Sequence, residues 1–196
     1  MALAATKKPK VRVRRPEDLE RIGIVAVEGM LPMMGILSGI LRSFRFQQVN
    51  VLGNSDEAWA RINAEPKMKA DIILIDWNAH PLSGENFVRQ LRRVDNPVLA
   101  ETPVIAIIAN ADRDVVFAAR DCGVNVVLLR PFSAAQLLDK VMWTLGQDTP
   151  FIRSEGYVGP DRRRFRAAEY LGEKRRIGED GEFSSDADDP HAGEVA

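Results

Sequence analysis

The sequence predicts an α/β fold in which helices cover both faces of a single parallel β-sheet. Across residues 21–146, short apolar runs alternate with longer segments whose apolar residues recur at helical spacing. The short runs contain almost no polar residues, as is typical of strands whose sheet is buried on both faces. Alternating strands and helices favour parallel pairing with right-handed crossovers, which leaves few topologies to consider.

Five apolar runs are the candidate strands. They are Ile22–Val27, Phe46–Leu52, Asp71–Ile75, Pro103–Ile108 and Asn125–Leu129. Five such units predict a flavodoxin-like (βα)5 doubly wound sheet of order 2-1-3-4-5, with its ligand site at the carboxyl ends of the strands. The residues that end or follow four of these strands are Glu28, Asp76, Ile108 and Arg130. We therefore expect these four residues along one edge of the sheet.

Five amphipathic segments are the candidate helices, and most carry capping signals. They span residues 30–44, 55–64, 84–94, 112–123 and 133–146. Ser55 is the predicted N-cap of the second helix, with acidic residues in its first turn. Asp112 is expected to cap the fourth helix and Gly123 to end it. Ser133 and Gly146 are expected to begin and end the fifth.

The composition predicts one folded domain with extra segments at both ends. The chain has 196 residues, of which 45% are hydrophobic, enough for one sizeable core. We expect a basic N-terminal arm at residues 1–20, the α/β domain at 21–146, and a linker, an arginine-rich segment and an acidic terminus at 147–196. The terminus has too few apolar residues to offset chain entropy, which predicts a disordered or partly helical tail.

Cysteine content and hydropathy exclude several classes of protein. The formal net charge of −1 carries no information about partners. Cys122 is the single cysteine, which excludes an intrachain disulfide and a cysteine-based metal cluster. The longest apolar runs fall well short of the roughly 20 residues that span a bilayer. No apolar run follows the basic N-terminus directly, so we expect no secretory signal. A cytoplasmic location without a membrane segment is the expectation.

The stretch "DIILIDWNAHPLSG", residues 71–84, places a lone carboxylate at the exit of a buried strand. Such a group is costly to bury unless it is paired or hydrogen-bonded. Asp76 therefore accepts a chemical group, binds a cation, or caps the turn that follows. The residue pattern by itself leaves these three alternatives open.

Over residues 21–145 the chain resembles the receiver domain of two-component response regulators. That family has an acidic pair after its first strand, a phosphoacceptor Asp after its third and a Lys-Pro after its fifth. Asp76 matches the acceptor, Gly84 follows it by the family's eight positions, and "LRPF" is similar to the family's "xKPF" turn. The resemblance implies that Asp76 accepts a phosphoryl group and that Glu28 and Asp76 hold Mg²⁺. It also implies that Arg130 supplies the positive charge that stabilises the transferred group.

The chain departs from the family pattern at several positions. Gly29 replaces the second acidic residue, so we expect Mg²⁺ binding to be weak. Ile108 replaces the Thr or Ser and Val127 the usual aromatic, so we expect the family's conformational switch to be absent. Arg130 replaces Lys, which keeps the charge but changes the geometry. The alternative for Arg130 is a simple ion pair with Glu28 or Asp76 that closes the pocket.

A second candidate site is the segment "GYVGPDRRRFR", residues 156–166. Guanidinium groups form paired hydrogen bonds with phosphates and stack on bases, so Arg162, Arg163 and Arg164 suit a nucleotide. The segment is similar to the arginine-rich extension of receiver-like proteins that bind cyclic di-GMP. Two alternatives are a solvated basic tail that pairs with the acidic terminus and a docking segment for an acidic protein.

Taken together, these patterns predict a stand-alone receiver-type signalling phosphoprotein, not an enzyme, in a two-component phosphorelay. Its expected partners are a histidine kinase or phosphotransfer protein and a downstream protein target, since the sequence contains no recognisable DNA-binding module. One alternative is a phosphorylation-independent pseudo-receiver that binds a cyclic dinucleotide through its arginine-rich tail. The other is a plain interaction scaffold.

Overall fold

A five-stranded parallel sheet forms the centre of the computed structural model, which describes residues 16–64, 69–109, 112–147, 149–154 and 156–161. The strands are β1 (Gly23–Val27), β2 (Gln48–Leu52), β3 (Ile72–Asp76), β4 (Val104–Ile108) and β5 (Val126–Leu129). They lie in the order β2-β1-β3-β4-β5, and every neighbouring pair is parallel. The flavodoxin-like fold and strand order predicted from the sequence are therefore confirmed.

Seven helices accompany the sheet within the described ranges. They are α1 (Pro16–Leu19), α2 (Leu31–Ser43), α3 (Ser55–Ala64), α4 (Gly84–Arg93), α5 (Pro97–Ala100), α6 (Arg113–Asp121) and α7 (Ala134–Gly146). The five longer helices occupy the five predicted segments, and α1 and α5 are short additions. None of these helices is both long and apolar enough to cross a membrane. The expected N-terminal arm up to residue 15 and the tail from residue 162 lie outside the described residues.

The core has two halves, one on each face of the sheet, because successive strand residues point to opposite sides. Val25 and Ile73 pack on one face among the apolar residues of α3 and α4, including Phe87. Ile24 and Ile72 pack on the other face with residues of α2 and α7. Every residue of β1, β3 and β4 is buried, which explains their unbroken apolar runs.

The helix caps agree with the sequence predictions except at the start of α3. Asp112 caps α6, and Ser133 caps α7 through a reciprocal pair of hydrogen bonds with Gln136. At α3, however, the Asn54 side chain accepts the Glu57 backbone N–H at 2.7 Å. Ser55 is fully buried, and its hydroxyl accepts the backbone N–H of Leu82 instead. The prediction of Ser55 as N-cap was therefore wrong by one position.

Residues 147–161 were expected to be a linker, but part of this segment folds as a β-hairpin. Strands β6 (Phe151–Arg153) and β7 (Val158–Pro160) pair in antiparallel register. A turn hydrogen bond from Ser154 N to Tyr157 O joins them. Their glycines and prolines indicated a flexible connection, whereas Gly159 in fact allows close backbone packing. A Cβ atom at Gly159 would lie 2.8 Å from the Cα of Gly123.

A buried arginine ties this hairpin to the domain. Arg92 is 1% exposed, and burial lowers its pKa to about 10. Its guanidinium donates at 2.7 to 3.1 Å to the carbonyl oxygens of Ala100, Thr102 and Gly123 and to the side chain of Asn125. The Phe151 ring of β6 covers the guanidinium at 5.2 Å. The hairpin is thus part of the folded unit.

Candidate functional site

The carboxyl edge of the sheet positions three charged residues. Asp76 is the last residue of β3, Glu28 follows β1, and Arg130 follows β5. Backbone hydrogen bonds from Glu28 N to Leu52 O and from Arg130 N to Ile108 O continue the sheet pairing past the strand ends. The backbone of Glu28 and Arg130 is therefore fixed by the sheet rather than by a free loop.

The side chain of Arg130 brings the three residues together. Its Nη2 donates to Oε2 of Glu28 and lies 3.5 Å from Oδ2 of Asp76. Two carboxylates from neighbouring strands thus share one guanidinium nitrogen. The predicted site residues Glu28, Asp76 and Arg130 form one cluster, while their individual roles remain predictions.

The two carboxylates differ in burial and in free hydrogen-bonding capacity. Glu28 is fully buried, and its second oxygen, Oε1, accepts the backbone N–H of Met30 at 3.0 Å. In Asp76, Oδ1 accepts the backbone N–H of Asn78 at 3.0 Å, and the side chain is 13% exposed. Of the four carboxylate oxygens, Oδ2 of Asp76 therefore has the longest contact, 3.5 Å, and it belongs to the more exposed of the two side chains.

The contact with Asn78 corresponds to one of the alternatives left open by the sequence. An Asp that accepts the N–H two residues ahead forms a local turn, so Asp76 does cap the turn after β3. This role uses only Oδ1, which leaves Oδ2 available for chemistry. Because the donor is a backbone N–H, the sequence signal for this contact was Asp76 itself at the exit of a strand.

Apart from Arg130, the positions that depart from the family pattern add no polar side chain to the pocket. Ile108 is 2% exposed and aligns with Leu129 of β5. Gly29 is exposed and has no side chain. Val127, in the middle of β5, is apolar. Of the positions singled out at this edge of the sheet, Glu28, Asp76 and Arg130 are the ones with charged side chains that can contact a bound anion or cation.

The cluster as it stands does not fit a divalent cation. Mg²⁺ takes octahedral oxygen ligands, usually one or two carboxylates with water and phosphate oxygens. Here the Arg130 guanidinium lies between the two carboxylates assigned to the ion, and both oxygens of Glu28 already accept hydrogen bonds. In the described part of the chain, no group of three or more His, Cys, Asp or Glu side chains is placed to hold a metal. The positive charge between the two carboxylates is instead the guanidinium of Arg130.

The second candidate site lies outside the described residues. Arg162, Arg163 and Arg164 follow directly after the last described residue, Asp161. The backbone N–H of Asp161 donates to Pro150 O at 2.7 Å, which closes the hairpin. Asp161, the last described residue before the arginine segment, is therefore held by the hairpin.

Comparison with known proteins identifies the family. The model of the response regulator receiver domain matches residues 24–142, more than half of the chain. Chemotaxis protein CheY-3 of Vibrio cholerae is 30% identical over 121 residues, which cover 60% of this chain and 87% of that protein. Chemotaxis protein CheY of Pseudomonas aeruginosa is 29% identical over 121 residues, covering 60% and 91%.

Solved structures show the same relationship. The receiver domain of the sensor histidine kinase PA1611 from Pseudomonas aeruginosa superposes with a TM-score of 0.56 at 25% identity, covering 64% of this chain and 98% of that one. Its structure is described with a magnesium ion coordinated in the active site cleft. The CheY4 chemotaxis protein of Vibrio cholerae shares the fold with a TM-score of 0.56 at 20% identity. Fold, motif positions and sequence similarity agree, and the chain belongs to the response regulator receiver domain family.

Proposed function

We propose that this protein is the receiver component of a two-component phosphorelay, in which Asp76 accepts the phosphoryl group and the output is a protein–protein contact. The observation that carries the proposal is the position of Oδ2 of Asp76. This oxygen lies at the carboxyl edge of the sheet, on a partly exposed side chain, 3.5 Å from a fixed guanidinium. A nucleophilic oxygen beside a fixed positive charge is what phosphoryl acceptance requires.

The proposed step transfers one phosphoryl group and conserves charge and atoms. Oδ2 of Asp76 attacks the phosphorus of a phosphohistidine or of a small acyl phosphate. The bond from phosphorus to the leaving nitrogen or oxygen breaks, and the leaving group keeps the electron pair. An imidazole nitrogen then takes a proton from solvent, whereas an acyl phosphate releases a carboxylate that stays ionised. The product is a mixed anhydride on Asp76. Arg130 offsets the charge that develops on the phosphoryl oxygens, and the Asn78 N–H holds the other carboxylate oxygen in place.

The partners in this proposal follow from membership of the family and from the pocket. A histidine kinase or phosphotransfer protein is the donor class that carries a phosphohistidine. The relatives are named as chemotaxis proteins. A comparable signalling role for this chain would make its downstream target a protein. Because Ile108 and Val127 replace the hydroxyl and aromatic groups of the family's switch, the output depends on charge at the pocket rather than on that switch.

The test is intact-mass measurement after incubation with acetyl phosphate or phosphoramidate, with and without magnesium. We expect the wild type to gain the mass of one phosphoryl group and the Asp76→Asn variant to gain none. The exposed Asp95→Asn variant is the matched control and should be labelled like the wild type. If no condition yields an adduct, with either small donor or with a cognate kinase, the proposed function is overturned.

A second candidate function is binding of a cyclic dinucleotide by Arg162, Arg163 and Arg164. The observation that favours it is the docked hairpin, whose last residue, Asp161, donates its backbone N–H to Pro150 O and directly precedes Arg162 in the sequence. Calorimetry with cyclic di-GMP should show heat for the wild type and none for the variant with all three arginines changed to alanine. Equal heats from both proteins would contradict this candidate, and an absence of both phosphorylation and nucleotide binding would leave the scaffold alternative.

A further inference from the structure

We infer that Arg130 takes the place of the divalent cation in this pocket, so that Asp76 is phosphorylated without a metal ion. The inference rests on the proposed function and extends it to the requirements of the reaction. It concerns the source of the positive charge that the incoming phosphoryl group meets.

The first argument is geometric. A cation that served both carboxylates would have to lie between Glu28 and Asp76. Nη2 of Arg130 occupies that position, in contact with Oε2 of Glu28 and 3.5 Å from Oδ2 of Asp76. The guanidinium therefore provides one positive charge at the point where the metal would provide two.

The second argument is the burial of Glu28. A carboxylate with no exposed surface needs a counter-charge at all times, because an unpaired buried charge is strongly destabilising. Arg130 meets this need as part of the chain, whether or not a metal is bound. A divalent cation could reach Glu28 only by displacing a guanidinium whose side chain is itself only 20% exposed. Binding would thus lose an existing ion pair before it gained a new one.

The third argument is the hydrogen-bonding capacity of Arg130. Its Nε is enclosed and has no acceptor among the described residues. An unsatisfied buried donor costs free energy, and a phosphoryl oxygen that entered the pocket would offer it an acceptor after a small side-chain shift. Arginine presents planar, paired donors that match a phosphate group, whereas lysine acts as a point charge. The residue is suited to contact the transferred group directly.

The fourth argument is the absence of a third carboxylate. Gly29 stands at the second acidic position, and the space beside it would admit a side chain. A Cβ atom there would come no closer than 3.7 Å to the nearest non-neighbouring atom, the carbonyl oxygen of Gly53. Steric crowding therefore does not explain the glycine. The Gly29→Asp variant should fold, and it provides a way to rebuild a metal site.

The experiment compares initial rates of phosphoryl labelling by phosphoramidate in magnesium and in EDTA. We expect equal rates for the wild type in the two buffers. The double variant Gly29→Asp with Arg130→Lys has a third carboxylate and a less rigid cation, and its labelling should become about tenfold faster in magnesium than in EDTA. Arg61→Lys, in an exposed ion pair with Glu57 on α3, is the matched control and should behave like the wild type.

A direct binding measurement keeps the inference independent of phosphorylation. Trp77 follows Asp76 and packs against the core, so its fluorescence should report ion binding in the pocket. The Trp77→Phe variant identifies the part of the emission that comes from Trp77. Titration of the wild type with magnesium chloride should leave that emission unchanged, while the double variant should show a saturable change.

Each outcome separates the inference from the proposed function. Labelling of the wild type in magnesium alone overturns the inference and supports Asp76 as the acceptor. A saturable magnesium response in the wild type that Asp76→Asn abolishes also overturns the inference. Labelling in neither buffer, with either small donor or with a cognate kinase, overturns the proposed function and, with it, metal-free phosphorylation of Asp76.

Discussion

Arg130 forms an ion pair with Glu28, a fully buried carboxylate 102 positions earlier in the chain. The two partners are not equivalent, because Arg130 has a second carboxylate, Asp76, within 3.5 Å. Glu28 is sealed from solvent and has no further charged partner among the described contacts. Removing Arg130 should therefore lower the free energy of unfolding by a different amount from removing Glu28.

Arg130→Met should lower the free energy of unfolding by about 3 kcal/mol, because it leaves the Glu28 carboxylate buried and unpaired. Glu28→Gln should cost less, since Arg130 retains Asp76 as a counter-charge. Urea unfolding monitored by circular dichroism measures both. In the Glu28→Gln background, Arg130→Met should lower the free energy of unfolding by less, because no buried carboxylate is then left unpaired at position 28. An equal or greater loss for Glu28→Gln alone would show that the pair does not have this asymmetry.

Two glycines should respond in opposite directions to substitution by alanine. Gly123 has φ +98°, and a Cβ there would lie 2.7 Å from the carbonyl oxygen of Val158 in β7. Gly123→Ala should therefore destabilise the protein by about 1 to 3 kcal/mol and speed amide exchange in the hairpin. Gly39, inside α2, has open space around it, and Gly39→Ala should stabilise by up to about 1 kcal/mol. Thermal unfolding measures the stability of both variants, and amide hydrogen exchange at Ile152 measures the opening of the hairpin in Gly123→Ala.

The fold was predictable from the sequence because its strands are buried on both faces. An unbroken apolar run such as Ile72–Ile75 can satisfy its side chains only inside a covered sheet. Once the strand order is set by right-handed crossovers, the carboxyl edge follows, and with it the clustering of Glu28, Asp76 and Arg130. The sequence did not reveal which carboxylate the guanidinium would prefer, because that depends on burial of Glu28 in three dimensions.

The hairpin was not predictable for a related reason. Phe151 and Ile152 form too short an apolar run to indicate a strand, and their packing depends on distant groups. Arg92 is one of several arginines on an amphipathic helix, so its sequence context resembles a solvated face. Only the tertiary structure shows that its guanidinium is buried against Gly123 and beneath the Phe151 ring.

Arg92→Met should therefore be much more damaging than the same change at its exposed neighbour, Arg93. Loss of the guanidinium removes the donors that it supplies to several buried carbonyl oxygens, at a cost of about 3 kcal/mol or more, and it releases the hairpin. Arg93→Met should change stability by less than about 0.5 kcal/mol. Urea unfolding gives the stabilities, and limited proteolysis between residues 147 and 161 reports release of the hairpin. Similar stabilities for the two variants would contradict the bridging role of Arg92.

Cys122 should make the stability of the protein fall in alkaline solution. Burial raises the pKa of its thiol from 9.0 to about 11. Arg89, Arg92 and the backbone of Val124 lower that pKa by smaller amounts, and Glu85 raises it slightly further. Between these two values the unfolded chain has lost the thiol proton while the folded chain retains it. Stability is therefore complete below about pH 9 and is lost as the pH rises toward 11, by about 1 kcal/mol between pH 8 and pH 10.

The measurement is urea unfolding at several pH values for the wild type and for Cys122→Ala. The variant removes this thiol but keeps every other titrating group, including Arg92. Because the pKa of Arg92 is lowered to about 10 in the folded protein, its titration raises the free energy of unfolding above about pH 10. The wild type should lose about 1 kcal/mol more than the variant between pH 8 and pH 10. Parallel pH profiles would mean that the thiol titrates alike in both states, which requires water to reach Sγ of Cys122 although its residue is 3% exposed.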